Sequence, residues 1–137
     1  MLSKGFKRIV AAAVVVSAVM MTSCQESLPA RCSREAREYT EKNCPARVGE
    51  QMLLDSVTFA EADSVLGYYY SVSGELDSAA LMAENEKRFR DAVEKELRNS
   101  TNIKAYKEAG FTFEYIYISS KKKNTLLTLR FEEKDYR

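Results

Sequence analysis

Phe111-Thr112-Phe113-Glu114-Tyr115-Ile116-Tyr117-Ile118-Ser119 alternates a row of four aromatics, ending in Ser119, with a mixed one. Successive side chains of an extended chain point to opposite faces, so Phe111, Phe113, Tyr115 and Tyr117 share one face and Thr112, Glu114, Ile116 and Ile118 the other. Aromatic and β-branched residues at period two predict a strand packed on one side. A polar run, Ser120 to Asn124, joins it to Thr125–Phe131, and the pair reads as a β-hairpin.

Upstream of the strand the period changes. Ile103 to Ala109 is a short helix, closed by Gly110 as a left-handed C′ residue. Before it, Asp77 or Ser78 caps one long helix running to about Asn99. Its stripe is Met82, Phe89, Val93 and Leu97, widened by Leu81 and Ala92; Glu84, Lys87, Arg88, Asp91, Lys95 and Arg98 form the opposite, solvated face. Further back, Gln51–Ala60 alternates, with Leu53, Asp55, Val57 and Phe59 on one face and Met52 and Leu54 starting the other. A turn at Glu61–Ser64 leads to a strand from Val65 to Ser73, where Gly67 marks a bulge or a close approach. Strands in consecutive antiparallel pairs with segregated helices predict an α+β fold, a four-stranded antiparallel sheet backed by the long amphipathic helix with short accessory helices.

The N-terminal 23 residues have another character. Lys4, Lys7 and Arg8 precede the apolar run Ile9–Met21, then Thr22-Ser23 and Cys24. The run is 13 residues long, short of the roughly 20 that span a bilayer as a helix. This order reads as a bacterial secretory signal peptide, and Met21-Thr22-Ser23-Cys24 resembles a lipobox, with Met in the place usual for Leu. The resemblance implies removal of residues 1–23, acylation of Cys24 and lipid anchoring to the cell envelope, outside the cytoplasm. Residues 24–31 then form a tether and 32–137 one α+β domain. The mature chain has 18 basic against 20 acidic residues, which gives no general attraction to nucleic acid.

There is no histidine. The usual general base near neutral pH, the Ser-His and Cys-His nucleophile pairs and the commonest zinc ligand are therefore missing. No cofactor or metal motif stands out, and enzymatic activity is not expected. With Cys24 acylated, Cys32 and Cys44 remain as an even pair in an oxidising compartment. A bridge between them competes with a helix over the same residues, for which Ser33 is a good cap and Arg34/Glu38 and Glu38/Lys42 are favourable pairs. Twelve helical steps separate two Cα atoms by roughly 18 Å; a disulfide tolerates only about 7 Å. Helix and bridge exclude each other, and the sequence alone leaves both open. Pro45 ends the helix if it forms.

Asn43-Cys44-Pro45, Leu54-Asp55-Ser56-Val57-Thr58-Phe59, Tyr68-Tyr69-Tyr70, the run Glu108 to Tyr117 and the closing Lys134-Asp135-Tyr136 resemble landmarks of a family of small, uncharacterised exported bacterial proteins. The resemblance spans roughly Glu41 to Tyr136. It departs at the last hairpin, where members often carry Asp/Asn-Gly and this chain has Lys121-Lys122-Lys123-Asn124. It implies an exported α+β domain and brings no activity with it.

Two features carry chemistry. Tyr68, Tyr70, Tyr115 and Tyr117 lie at alternate positions of two strands and form a tyrosine face that either packs under the helix or grips a ligand. Lys121, Lys122 and Lys123 at the hairpin tip are ordinary edge-protecting charges or a contact to an anionic membrane surface. The reading these features favour is a non-catalytic, lipid-anchored envelope protein that engages another envelope protein as an interaction or assembly accessory. The alternative is a binding module for a peptide, glycan or lipid that uses the tyrosine face.

Overall fold

The alternating segments all form strands in the computed structural model, which describes residues 25–137. Cys24 and the leader lie outside the described residues. Helix α1 (Leu28–Asn43) precedes β1 (Ala46–Gly49), β2 (Met52–Ala60) and β3 (Val65–Val72). Helices α2 (Ala79–Glu84), α3 (Glu86–Asn99) and α4 (Lys104–Glu108) follow, then β4 (Thr112–Ser119), β5 (Thr125–Phe131) and α5 (Glu133–Tyr136). The sheet has five strands in the order β1-β2-β3-β4-β5.

This corrects the expected sheet in two ways. β1 adds a fifth strand at the edge, and β3 pairs with β4 in parallel, while the other three pairings are antiparallel. The reason is the connection. Parallel neighbours need a long crossover, and α2, α3 and α4 supply it, returning the chain to the end where β3 began. Reading β4 only as half of its hairpin with β5 hides this pairing.

Local patterning also differs at two points. The pairing of β2 with β3 shifts between Leu54 and Ser56, so Asp55 is extra and the strand's faces swap across it. Met52 and Leu54 consequently share the inner face with Val57 and Phe59, and Leu53 turns outward opposite Ser71. The long helix is divided at Asn85, whose side-chain amide donates to the Leu81 carbonyl at 2.8 Å, a local bond that competes with an unbroken helical ladder. Ser78 caps α2, accepting from the Leu81 N–H at 3.2 Å. Gly110 has φ +76°, as its place after a short helix predicts. A Cβ on Gly67 would meet the Thr58 hydroxyl at 3.1 Å, so close approach of neighbouring strands explains this glycine.

The helices collect on the sheet face that carries Phe113 and Tyr117. Val72, Met82, Phe113, Leu129 and Phe131 are fully buried there, with Leu97 beside them. The predicted stripe of α2 and α3 faces inward at Met82, Phe89, Val93 and Leu97, while Ala92 is exposed. Tyr136 of α5 meets Phe113 edge-on at 5.4 Å and donates to the Phe111 carbonyl at 2.7 Å, locking the C-terminus to the start of β4.

Helix α1 begins at Leu28, inside the stretch read as tether, because Ser27 accepts from the Ala30 N–H and Pro29 sits in the first turn. It runs unbroken through Cys32 to Asn43, and both cysteines are free. Of the two exclusive readings, the helix is the one that forms. It docks through Thr40, whose hydroxyl accepts from the Val57 N–H at 2.9 Å and lies 2.9 Å from the Val57 carbonyl oxygen. Those groups sit on the outer edge of β2 beyond the end of β1, where no strand can pair them.

Truncating Phe113 to alanine is expected to destabilise the domain by about 3–5 kcal/mol, read from urea unfolding, since it empties a sealed site. The mature domain is expected to show two unbridged thiols. Burial pushes the Cys32 thiol up to about 12, so alkylation of the folded protein at neutral pH should reach half-buried Cys44 well before Cys32. A Cys32–Cys44 disulfide in the secreted protein would contradict this structure.

Candidate functional site

Between α1 and α3, over the middle of the sheet, lies a cleft of about 550 Å³. Its floor is the tyrosine face. The parallel register sets Tyr68 opposite Tyr115 and Tyr70 opposite Tyr117, so all four predicted tyrosines meet. Tyr68 stacks on Tyr115 at 4.9 Å and 11°, Tyr70 on Tyr115 at 6.4 Å and 13°, and Tyr70 on Tyr117 at 5.0 Å and 13°. Phe89 of α3 closes the Tyr117 end at 5.6 Å. Tyr117 is buried beneath that helix, and the other three rings are half-buried.

The stack decides what the floor can offer. Tyr115 and Tyr70 spend both ring faces on neighbouring tyrosines, which leaves ring edges and hydroxyls for the cleft. Aromatic recognition of a sugar uses an open ring face, so this floor suits a ligand that meets edges and phenolic groups. Among the described residues none of the four hydroxyls has a hydrogen-bond partner, and none is a sealed, unsatisfied atom. They therefore keep contact with the cleft's water.

The walls come from residues the sequence did not mark as a site. Helix α1 contributes Cys32, Glu35, Ala36 and Tyr39, β1 contributes Val48, α3 contributes Val93, Glu96 and Leu97, and α4 adds Tyr106. Two large apolar side chains stand exposed among the described residues, Tyr39 at 43% and Val48 at 52%, and both are on this rim. A weak signal was present. Ala36 and Tyr39 are the apolar positions of α1 after Cys32, and Glu96 is three residues beyond Val93, on the stripe side of α3.

The cleft is acidic. Among the described residues it is lined by Glu35 and Glu96 and by no lysine or arginine. Glu35 accepts from the Tyr106 hydroxyl and pairs with Arg31 at 2.8 Å, and these partners hold its carboxyl below the usual range. A carboxylate tied down in this way is a poor proton donor. Glu96 is exposed, and its helical neighbours Ala92, Val93, Asn99 and Ser100 carry no charge. Its negative charge, after burial, is one of the influences that raise the proton affinity of Tyr68, Tyr70, Tyr115 and Tyr117, the last to about 12.

The lysine tip is elsewhere. Lys121 donates its N–H to Asp77, Lys123 adopts a φ of +62°, and Ser120 is bonded to the Val72 carbonyl at the far end of β3. The start of α1 lies at the other end of the sheet, where Arg31 stands over the Tyr106 ring and Tyr106 stacks on Phe111. The length of β4, roughly 25 Å, separates the tip from the end of the sheet where α1 starts.

The model of a family described as "Domain of unknown function (DUF8479)" matches residues 27–127. No curated protein sequence matches the chain. Among solved structures, a candidate secreted protein from Pseudomonas aeruginosa superposes with a TM-score of 0.65 at 19% identity, covering 82% of this chain and 100% of that one. EpsS, the pilotin of the Vibrio vulnificus type 2 secretion system, superposes with a TM-score of 0.62 at 8% identity, covering 80% of this chain and 92% of the pilotin. At these identities the likeness is one of fold.

Alkaline titration tests the buried stack. Folding raises the proton affinity of these tyrosines, so the folded chain keeps protons that the unfolded chain releases near pH 10. The stability they contribute is full below that pH and is lost as pH rises through about 12, where Tyr117 ionises. Phenolate absorbance from Tyr117, isolated by difference against Tyr117→Phe, is expected to appear only together with loss of the helical circular dichroism. Its appearance near pH 10 in a folded protein would show that the ring is not enclosed.

Proposed function

The chain belongs to the DUF8479 family, and we propose that it is a non-catalytic, lipid-anchored accessory of the bacterial cell envelope that grips another envelope protein in the tyrosine-floored cleft. One observation carries the reading. The exposed large apolar side chains of the described surface, Tyr39 and Val48, stand on the rim of the same cleft, and apolar surface concentrated at a concavity is the mark of a contact made with a partner.

Three further points support it. The leader and Cys24 match the pattern of an exported, acylated protein. The fold is shared with a candidate secreted protein and with the pilotin of a type 2 secretion system, both of which fit an envelope or exported setting. Glu35 is held below the usual carboxyl range by Tyr106 and Arg31, which makes it a poor general acid. Within the alternative of a ligand-binding module, the stacked rings favour a peptide over a glycan.

Site-specific photo-crosslinking in the native envelope tests the proposal. A crosslinker at Tyr39 is expected to capture a discrete envelope protein, and one at Asp91 on the outer face of α3 to capture none. Mass spectrometry of the mature protein is expected to find Cys24 first and acylated. Equal capture from both positions, no capture from Tyr39, or a mature N-terminus elsewhere would overturn the proposal.

A further inference from the structure

Resting on that reading of the cleft, we infer that its occupant is a protein segment that presents apolar side chains together with at least one lysine or arginine, the cation seated between Glu96 and the tyrosine hydroxyls and the contact made through side chains rather than by an added strand.

Charge gives the first part. Glu35 already has Arg31, so it asks nothing of a partner. Glu96 stands at the wall with no cation on its own helical neighbours and none lining the cleft. Beneath it the ring faces of Tyr70 and Tyr115 are taken up in the stack, which leaves phenolic oxygens and ring edges to a ligand. An ammonium or guanidinium is all donor, and here it meets a carboxylate and several oxygen acceptors at once. A segment bearing a carboxylate would meet Glu96 with like charge and find no basic group in the walls, which makes the site selective as well as attractive.

The remaining walls ask for apolar groups. Ala36, Leu54, Val57, Leu66, Val93 and Leu97 surround the polar centre, and Tyr39 and Val48 extend this surface to the rim. A cation on a flexible stem flanked by aliphatic side chains matches both demands, because lysine and arginine bury their methylene stems while the head remains hydrogen-bonded.

The mode follows from the sheet. The floor strands β3 and β4 each have a hydrogen-bonded strand on both sides, β2 and β4 for the first and β3 and β5 for the second. Neither floor strand has a backbone ladder open to a peptide, so strand addition is closed on the floor of the cleft. Helix α1 docks on β2, and α3 packs by Phe89 and Arg90 on β4 and β5. Strands lie about 4.8 Å apart, so the gap between these helices, two to three strands wide, is of the order of 10–14 Å between axes. Helices in contact are separated by about 8–10 Å, and the surplus admits a row of side chains rather than a second backbone.

Selection from an unbiased displayed library of 16-residue peptides on the folded mature domain tests this. Enriched sequences are expected to combine Leu, Ile, Phe or Met with an excess of Lys and Arg and a deficit of Asp and Glu. Their binding should weaken ~3-fold in Glu96→Gln, as an exposed ion pair allows, and weaken further in Glu96→Lys, which should instead enrich acidic peptides. Both variants alter an exposed helical residue, and their far-UV spectra and melting points should match the parent. Peptides that bind equally well to Tyr39→Ser and Val48→Ser would place recognition outside the cleft and sink the functional reading with this inference. Peptides lost in those variants but free of basic excess, or indifferent to Glu96→Lys, would sink the inference alone. Failure to enrich any peptide would overturn it too.

Discussion

The parallel pairing of β3 with β4 is the constraint on which the rest of the structure depends. It places Val65 opposite Thr112 and continues without a slip to Val72 opposite Ser119. Because that register is even along eight pairs, tyrosines spaced two apart on each strand arrive side by side and stack. An antiparallel pairing of the same strands would reverse one row against the other and bring different residues opposite each other. The crossover that enforces the parallel direction also supplies α3, the wall that carries Glu96. Floor and wall are thus products of one connection.

The second dependency is the docking of α1. Its own sequence is a marginal helix, with few apolar residues and stability drawn mainly from tertiary contact. Contact comes at an edge. β1 is only four residues long and leaves the Val57 N–H and C=O without a strand, and Thr40 takes them. In the middle of the helix, Glu35 receives the Tyr106 hydroxyl, and Tyr106 stacks on Phe111 at 5.6 Å. The helix that forms the second wall is therefore held by polar contacts to the sheet through Thr40 and to α4 through Glu35. It buries Cys32 and Ala36 in the core. This explains why the thiols stay apart: bridging Cys32 to Cys44 would dissolve the element that closes the cleft.

How far the sequence discloses this differs by element. β2, β3, β4 and β5 fall within about a residue of their periodic segments, because half-buried strands write their face into the chain at period two. Gly110 and the short α4 are equally legible from local chemistry. β1 is not, since four residues, three of them exposed, carry no period. The bulge at Asp55 is invisible for the opposite reason: alternation is present on both sides of it, and only the partner strand shows that one residue is unpaired. The tyrosine floor could be named from spacing alone, as both rows were in view. The walls could not, because Tyr39, Val48 and Glu96 belong to three elements that only tertiary packing brings together.

Tyrosine at all four floor positions is itself an argument about what the cleft is for. A floor of leucine or phenylalanine would satisfy a core that lies beneath a closed helix layer, and it would leave no polar atom to satisfy. Phenolic hydroxyls in a half-buried place carry a desolvation cost that is tolerable only where water or a partner reaches them. Here the rings contribute apolar mass to the sheet through their stacked faces, while Tyr68, Tyr70 and Tyr115 stay only half-buried. Stacking in addition limits the freedom of each ring, so that a partner would find the oxygens already in place rather than ordering them on arrival. The same four residues thus stabilise the fold with one part of the side chain and hold a prearranged polar surface with the other. Covering that surface with the domain's own helices would waste the second property, and the exposed Tyr39 and Val48 at the rim mark where α1 and α3 stop short of doing so.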